Sequence, residues 1–264
     1  MEKSEKRNGD EVKLIPIKTK VISPGEDLVD LIPLESLRDG DILVISSKAV
    51  STSRKRLVYL SNVKPSERAK SLAKKFEMDE KLVEIILREA DLIIGGVKGV
   101  LLTLKDGNLM PNAGVDRSNC PKGTVVLLPE NPWEESKRIS EEIMKRCGKR
   151  IGVVISDSRV QPLRLGTVGI ALGGYGIPLV TDERGKEDLF GRELEITFRA
   201  VGDQIASAAL LLMGENGEGI PMVVIRGVPL DGESNGIKPE LSPKKCLIMG
   251  SILKRFPKLL EESQ

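Results

Sequence analysis

Apolar positions along the chain follow two rhythms. Short runs rich in Val, Ile and Leu and bounded by Gly, Pro or Asp read as strands: EVKLIPIKTKVI from Glu11, DILVISSKAV from Asp41, RIGVVISD from Arg150 and IPMVVIRG from Ile220. DLIIGGVKGVLLTL from Asp91 and NLMPNAGV from Asn108 flank an Asp106-Gly107 turn, and GTVVLLP from Gly123 stops at Pro129. Helical spacing marks the other segments. Pro65-Ser66-Glu67 opens one helix, Asp79 a second, and Pro132 lies just before the amphipathic stretch WEESKRISEEIMKRC. GDQIASAALLLMG, from Gly202, is a mostly apolar helix stopped by Gly214, and SPKKCLIMGSILKRF, from Ser242, reads as helical. LGTVGIALGG, from Leu165, is a Gly-rich strand or strand-turn. No period suggests a repeat array.

The pattern predicts an α+β chain. Residues 11–164 and 196–235 form its main domain, and 165–195 are a Gly-rich insert contributing to a smaller second lobe. Residues 236–264 are a C-terminal helical segment, and Met1–Asp10 reads as a polar, frayed tail.

Composition narrows the chemistry. With 40% hydrophobic but only 3% aromatic residues in 264, a sizeable core is available and must be aliphatic. The 41 basic and 39 acidic side chains nearly cancel, so no overall field gathers nucleic acid or an anionic membrane. The charged start MEKSEKRNGDEVK does not resemble a signal peptide and no window reads as a span, so a cytoplasmic protein is expected. Cys120, Cys147 and Cys246 form no CxxC pair and are expected as reduced thiols. Histidine is absent altogether. That removes Ser-His and Cys-His catalysis, His-rich zinc sites and the imidazole base, and points any metal chemistry to oxygen ligands and hence Mg²⁺ or Mn²⁺.

Two fragments place an Asp among small polar groups just past an apolar run: NAGVDRSN, with Asp116, and SDSR, with Asp157. Rigidly held carboxylates with small neighbours can hold a cation and leave positions open for phosphate oxygens, although Asp is also a common turn cap. LMGENGEGIP, from Leu212, offers Glu215 as a cation ligand and glycines that let backbone approach a phosphate; a helix C-cap with a flexible connection is the competing reading. Lys48 can neutralise phosphate beside the hydroxyls of Ser46 and Ser47, or be an exposed strand-end lysine. The run SRKR, from Ser53, and Arg159 and Arg164 add local positive charge, with the two arginines as candidates to pair with a substrate carboxylate or phosphate. Neither a G-x-x-x-x-G-K-[ST] loop nor a dinucleotide fingerprint occurs.

Taken in order, KPSERAK, LVEIILREA, NAGVDRSN, VVLLPENP, GVVISDSR, KEDLFGRELE and LLMGENGEGIP resemble the coenzyme F420-0:L-glutamate ligase (F420-0:gamma-glutamyl ligase) family, from about Ile15 to Gly227. The resemblance implies two mixed α/β domains with the active site between them, assembled as a homodimer. It implies GTP-dependent joining of L-glutamate to the carboxylate of F420-0, releasing GDP and phosphate, with a further γ-linked glutamate possible. On this likeness Asp116, Asp157, Ser158 and Glu215 hold a divalent metal, and Ser158 stands where the family has Thr. Asn119 contacts the nucleotide, in a region shared with Ser46, Ser47, Lys48, Met213, Gly214 and Gly217. Three segments depart from the family pattern: STSRK (51–55) in place of K-A-E-G, VQPLRLG (160–166) without an aromatic residue, and TKVISPGE (19–26). A different acceptor on the same ligase fold, or a non-catalytic ligand-binding homologue, are the alternatives these departures leave.

Overall fold

The computed structural model describes residues 11–228 and 236–256; the expected polar tail 1–10, residues 229–235 of the expected main domain and 257–264 of the expected C-terminal helical segment lie outside the described residues. Strand β1 (Lys13–Ile17) is followed by β2 (Ile42–Ser46), helix α1 (Ser47–Ser53) and β3 (Leu57–Tyr59). Helices α2 (Glu67–Phe76) and α3 (Glu80–Glu89) lead into the meander β4 (Leu92–Val97), β5 (Val100–Lys105) and β6 (Asn108–Pro111), then β7 (Thr124–Val126). After α4 (Pro132–Cys147) come β8 (Gly152–Val160), β9 (Thr167–Tyr175) and the short pair β10 (Thr181–Asp182) and β11 (Phe198–Arg199). The chain continues through α5 (Val201–Met213), β12 (Met222–Arg226) and α6 (Leu247–Arg255).

Helix starts are set locally. Ser66 accepts from the Ala69 N–H at 3.2 Å, Asp79 from Leu82 at 2.9 Å and Asn131 from Glu134 at 3.1 Å, each satisfying a backbone donor that the first turn leaves orphaned.

The main sheet has the order β1-β12-β2-β8-β9, antiparallel except for the central β2–β8 pair, which is parallel. A parallel pair is covered on both faces, which explains the unbroken apolar runs there. Leu43, Ile45, Val153 and Ile155 meet Ile139 and Ile143 of α4 and Ala49 and Val50 of α1. Ile42, Val44, Val154 and Val223 face Val201, Ile205 and Ala209 of α5. A separate core gathers Ala69, Val83, Ile86, Leu101 and Val125 from α2, α3, β5 and β7. Met110, Leu128, Ile170 and Leu172 join β6 to β9. This is a mixed α/β fold. No helix among the described residues is long and apolar enough to cross a membrane.

Three sequence expectations are corrected. DILVISSKAV is not one strand: β2 ends at Ser46 and the chain turns directly into α1, because Ala49 and Val50 bury a helical face rather than a pleat. Asp157 does not follow its strand but lies inside it, since β8 runs on to Val160 and pairs Asp157 with Ile170. Of the Gly-rich 165–195, residues 167–175 are the edge strand of the main sheet, not part of a separate lobe. Its glycines serve packing: a Cβ on Gly169 would collide with the Ala206 backbone of α5, and one on Gly173 would stand 2.7 Å from the Pro132 backbone of α4.

Candidate functional site

The parallel strands β2 and β8 run side by side, Ser46 opposite Ser156, and the chain after each of these serines carries polar groups. The carboxyl ends of parallel strands are where open α/β sheets place ligands. Ser46 bonds its N–H to the Pro221 carbonyl at 2.9 Å, fixing the exit of β2. Ser47 then donates its hydroxyl to Asp157 Oδ1 at 3.1 Å. One residue on, Lys48 Nζ lies 2.6 Å from Asp116 Oδ2 and donates to Ser118 Oγ at 2.6 Å.

Asp116 is held from its own side. Its backbone exchanges two hydrogen bonds with Val126, and its carboxylate accepts from the Ser118 N–H at 2.7 Å and the Ser118 hydroxyl at 3.0 Å. Asn119 adopts a left-handed φ of 53°, which Asn tolerates, and donates Nδ2 to the Asn216 carbonyl at 2.8 Å. That bond ties the Asp116 loop to the loop after α5, where Gly214 has φ 65° and the side chain of Glu218 leaves no room for a Cβ. Met213 is buried in the last turn of α5, and Gly217 is exposed in the loop beyond. Glu215 accepts from Thr167 Oγ1 at 2.7 Å and from Ser158 Oγ at 3.4 Å.

Asp116, Asp157, Ser158, Glu215, Lys48, Ser47 and Asn119 are therefore linked by direct bonds into short strings on one region of the surface. The two arginines fare differently. Arg159 stands 4.0 Å from Asp203, which itself accepts from the Ala171 N–H at 2.9 Å. Arg164 sits on the exposed turn between β8 and β9, beside the fully exposed Leu163 and Leu165. The SRKR run is used structurally: Arg54 pairs with Glu135 at 2.8 Å, and Arg56 with Glu130 at 3.0 Å and Glu89 at 3.2 Å. Cys120 is half-buried with its thiol against the Arg117 and Thr124 carbonyls, and all three cysteines are free.

The two aspartates differ electrically. Burial would raise Asp116, but the Lys48 ammonium and the Ser118 donors together hold it below the usual carboxylate range. At Asp157 burial dominates and the neighbouring Asp116 charge adds to it; the Ser158 N–H, the Ser47 hydroxyl and Lys48 only partly oppose them, and its pKa is pushed up to about 6. Two carboxylates of like charge, one of them poorly compensated, with the Ser47 and Ser118 hydroxyls on them, are an oxygen donor set that suits a hard divalent cation. Among the described residues no group of three or more Asp, Glu or Cys converges on one point, so Glu215 stands apart from the pair, joined to Ser158 beside Asp157. The residues fit Mg²⁺ or Mn²⁺ if hydroxyl or phosphate oxygens complete the shell.

Ser118 and Thr167 are not singled out by the sequence pattern. Ser118 has a local signature, an Asp two residues before it whose side chain turns back onto its N–H. Thr167 has none, being 48 residues from the carboxylate it touches.

Comparison with known proteins matches the model of the family described as F420-0:Gamma-glutamyl ligase over residues 16–227. The Coenzyme F420:L-glutamate ligase of Methanopyrus kandleri is 40% identical over 87% of this chain and 88% of its own length. The protein of the same name from Methanocaldococcus jannaschii is 43% identical over 82% and 88%, and that from Archaeoglobus fulgidus 38% over 85% and 91%. The family model covers all of the site just described. The chain thus belongs to the F420-0:Gamma-glutamyl ligase family and is an enzyme of the ligase class.

Proposed function

We propose that this chain uses GTP to join L-glutamate to the carboxylate of F420-0, forming an amide and releasing GDP and phosphate, and that it can add a second glutamate to the γ-carboxylate of the first. The observation that carries the reading is the pairing of Asp116 and Asp157 from separate parts of the fold, with Ser47 and Lys48 between them at the end of β2. Unaided, a carboxylate does not condense with an amine, because the oxygen that must leave is too basic. Its attack on the γ-phosphorus of GTP gives an acyl phosphate and GDP; the glutamate amine then forms the C–N bond, phosphate leaves, and the amine proton passes to solvent. No covalent nucleophile on the protein is required, and placement with charge neutralisation is its main contribution.

In this reading Asp116, Asp157, Ser158 and Glu215 hold Mg²⁺ or Mn²⁺, which when bound neutralises the phosphate oxygens. Lys48 gives up part of its bond to Asp116 to meet phosphate, with Ser46 and Ser47 beside it. Asn119 and the loop Met213, Gly214, Gly217 shape the nucleotide site, and Arg159 or Arg164 receives a substrate carboxylate or phosphate. The fold is read as two mixed α/β domains with this site between them. The enzyme works in the cytoplasm as a homodimer, without nucleic acid or membrane partners. The exposed Leu163, Leu165, Leu189, Phe190 and Ile196 offer apolar surface that self-association could cover.

A second reading keeps the ligase chemistry and changes the acceptor. It is favoured by the 160–166 turn, which presents leucines to solvent where the family pattern has an aromatic residue. Mass spectrometry after incubation with F420-0, L-glutamate, GTP and Mg²⁺ or Mn²⁺ decides between them. A glutamyl adduct with GDP supports the first. GTP bound tightly without an adduct supports the second, and neither adduct nor GTP binding defeats both.

A further inference from the structure

Glu215 is the least supported carboxylate of the site by its own chain segment. It follows Gly214, the residue that ends α5 with φ 65°, and precedes a loop with two further glycines, so backbone geometry alone does not aim its side chain. Unlike Asp116, it has no lysine or arginine within ion-pairing distance among the described residues. What holds it is a pair of hydroxyls on neighbouring strands. Thr167 opens β9 opposite Val160, while Ser158 lies two residues back on β8 opposite Gly169. The Thr167 bond, 2.7 Å to Oε1, is short, whereas the Ser158 bond to Oε2, 3.4 Å, is near the limit of a hydrogen bond. A β-branched Thr on a paired strand has restricted χ1, so its hydroxyl is a stiff anchor. A neutral donor orients the carboxylate and leaves its charge for a cation.

We infer that Thr167 is a positioning residue that orients Glu215 for cation binding. This rests on the reading of Glu215 as a metal ligand, and the test separates the two. Hydrogen-bonding partners behind a metal ligand typically change metal affinity by about 10–100-fold when removed. Mn²⁺ binding to the full chain, with and without GDP, is followed by the electron paramagnetic resonance of free Mn²⁺ in wild type, T167V, T167S and E215A.

Thr167→Val keeps the shape and deletes the hydroxyl; it is expected to raise the Mn²⁺ dissociation constant about tenfold. In turnover the same variant should need more Mn²⁺ while keeping its rate at saturating Mn²⁺. Thr167→Ser restores the donor and is expected to restore binding. Because Thr167 is exposed, the variants should fold, with T167A as a second hydroxyl deletion if T167V does not. Wild-type Mn²⁺ binding in the hydroxyl-deleted variant, together with weakened binding in E215A, overturns the role of Thr167 and keeps that of Glu215. Unchanged binding in E215A itself overturns both.

Discussion

Two clusters of charge in this molecule are built on opposite plans. Beside α4, arginines meet the carboxylates: Glu135 takes Arg54 and Arg138, Asp27 takes Arg138 and Arg146, and Glu142 takes Arg146. At the ends of β2 and β8, Asp157 and Glu215 receive serine and threonine hydroxyls, and Lys48 brings a cation to Asp116. The first cluster is electrically closed and serves to hold the fold together. The second carries negative charge that the protein does not neutralise, which is a cost to the empty fold and an attraction for a ligand cation.

Removing charge should therefore harm function at one cluster and stability at the other. The largest effect is expected from D116A and D157A, which should lower kcat/KM for GTP-dependent glutamyl transfer by roughly 10²–10³-fold, read from GDP release. The contrast sharpens with D157N in metal-free buffer at pH 8. Burial penalises the ionised form of Asp157 in the folded protein, so removing it should stabilise the fold by roughly 1 kcal/mol in denaturant melts. A loss of stability instead would mean that Asp157 is a structural group like those beside α4.

Glu135 is the reverse case. Burial would raise it, but the Arg138 and Arg54 bonds together lower its pKa below 4.5. A carboxylate lowered on folding adds stability above its unfolded pKa and loses it as pH falls through the folded value. E135Q should thus cost about 1.5 kcal/mol at pH 7, with the deficit shrinking below pH 4.5, and leave kcat/KM unchanged. A change in turnover would break the separation between the clusters. The smallest effect is expected at Asn119, where N119A removes one exposed bond to the Asn216 carbonyl and should weaken GTP binding by about 0.5 kcal/mol in calorimetry.

Features written in neighbouring residues are legible in the sequence. The caps at Ser66, Asp79 and Asn131 and the apolar runs of the central strands need only local chemistry. Asp116 and Asp157 stand out because small polar residues surround them, though the approach of their two segments in space does not. Less legible is anything decided at long range. The apolar residues after Ser46 serve a helix because the sheet face next to them needs covering, and so short a run does not by itself distinguish that from a strand. The glycines of β9 reflect the closeness of α4 and α5, not a hinge or a lobe. SRKR reads only as a run of local positive charge, yet Glu135, Glu130 and Glu89, distant in sequence, claim Arg54 and Arg56. Thr167 belongs with these.

The in-register pairing of β2 with β8 has a further consequence. Side chains along a strand alternate between faces, so the same alignment that buries Ile45 and Ile155 on the α4 side determines the side from which Asp157 meets Ser47. Slipping the pair by one residue would invert that parity, sending the carboxylate to the α5 side and the core residues with it. Hydrophobic core and candidate site are thus read in a single frame, and a substitution drift that shifts one must shift the other.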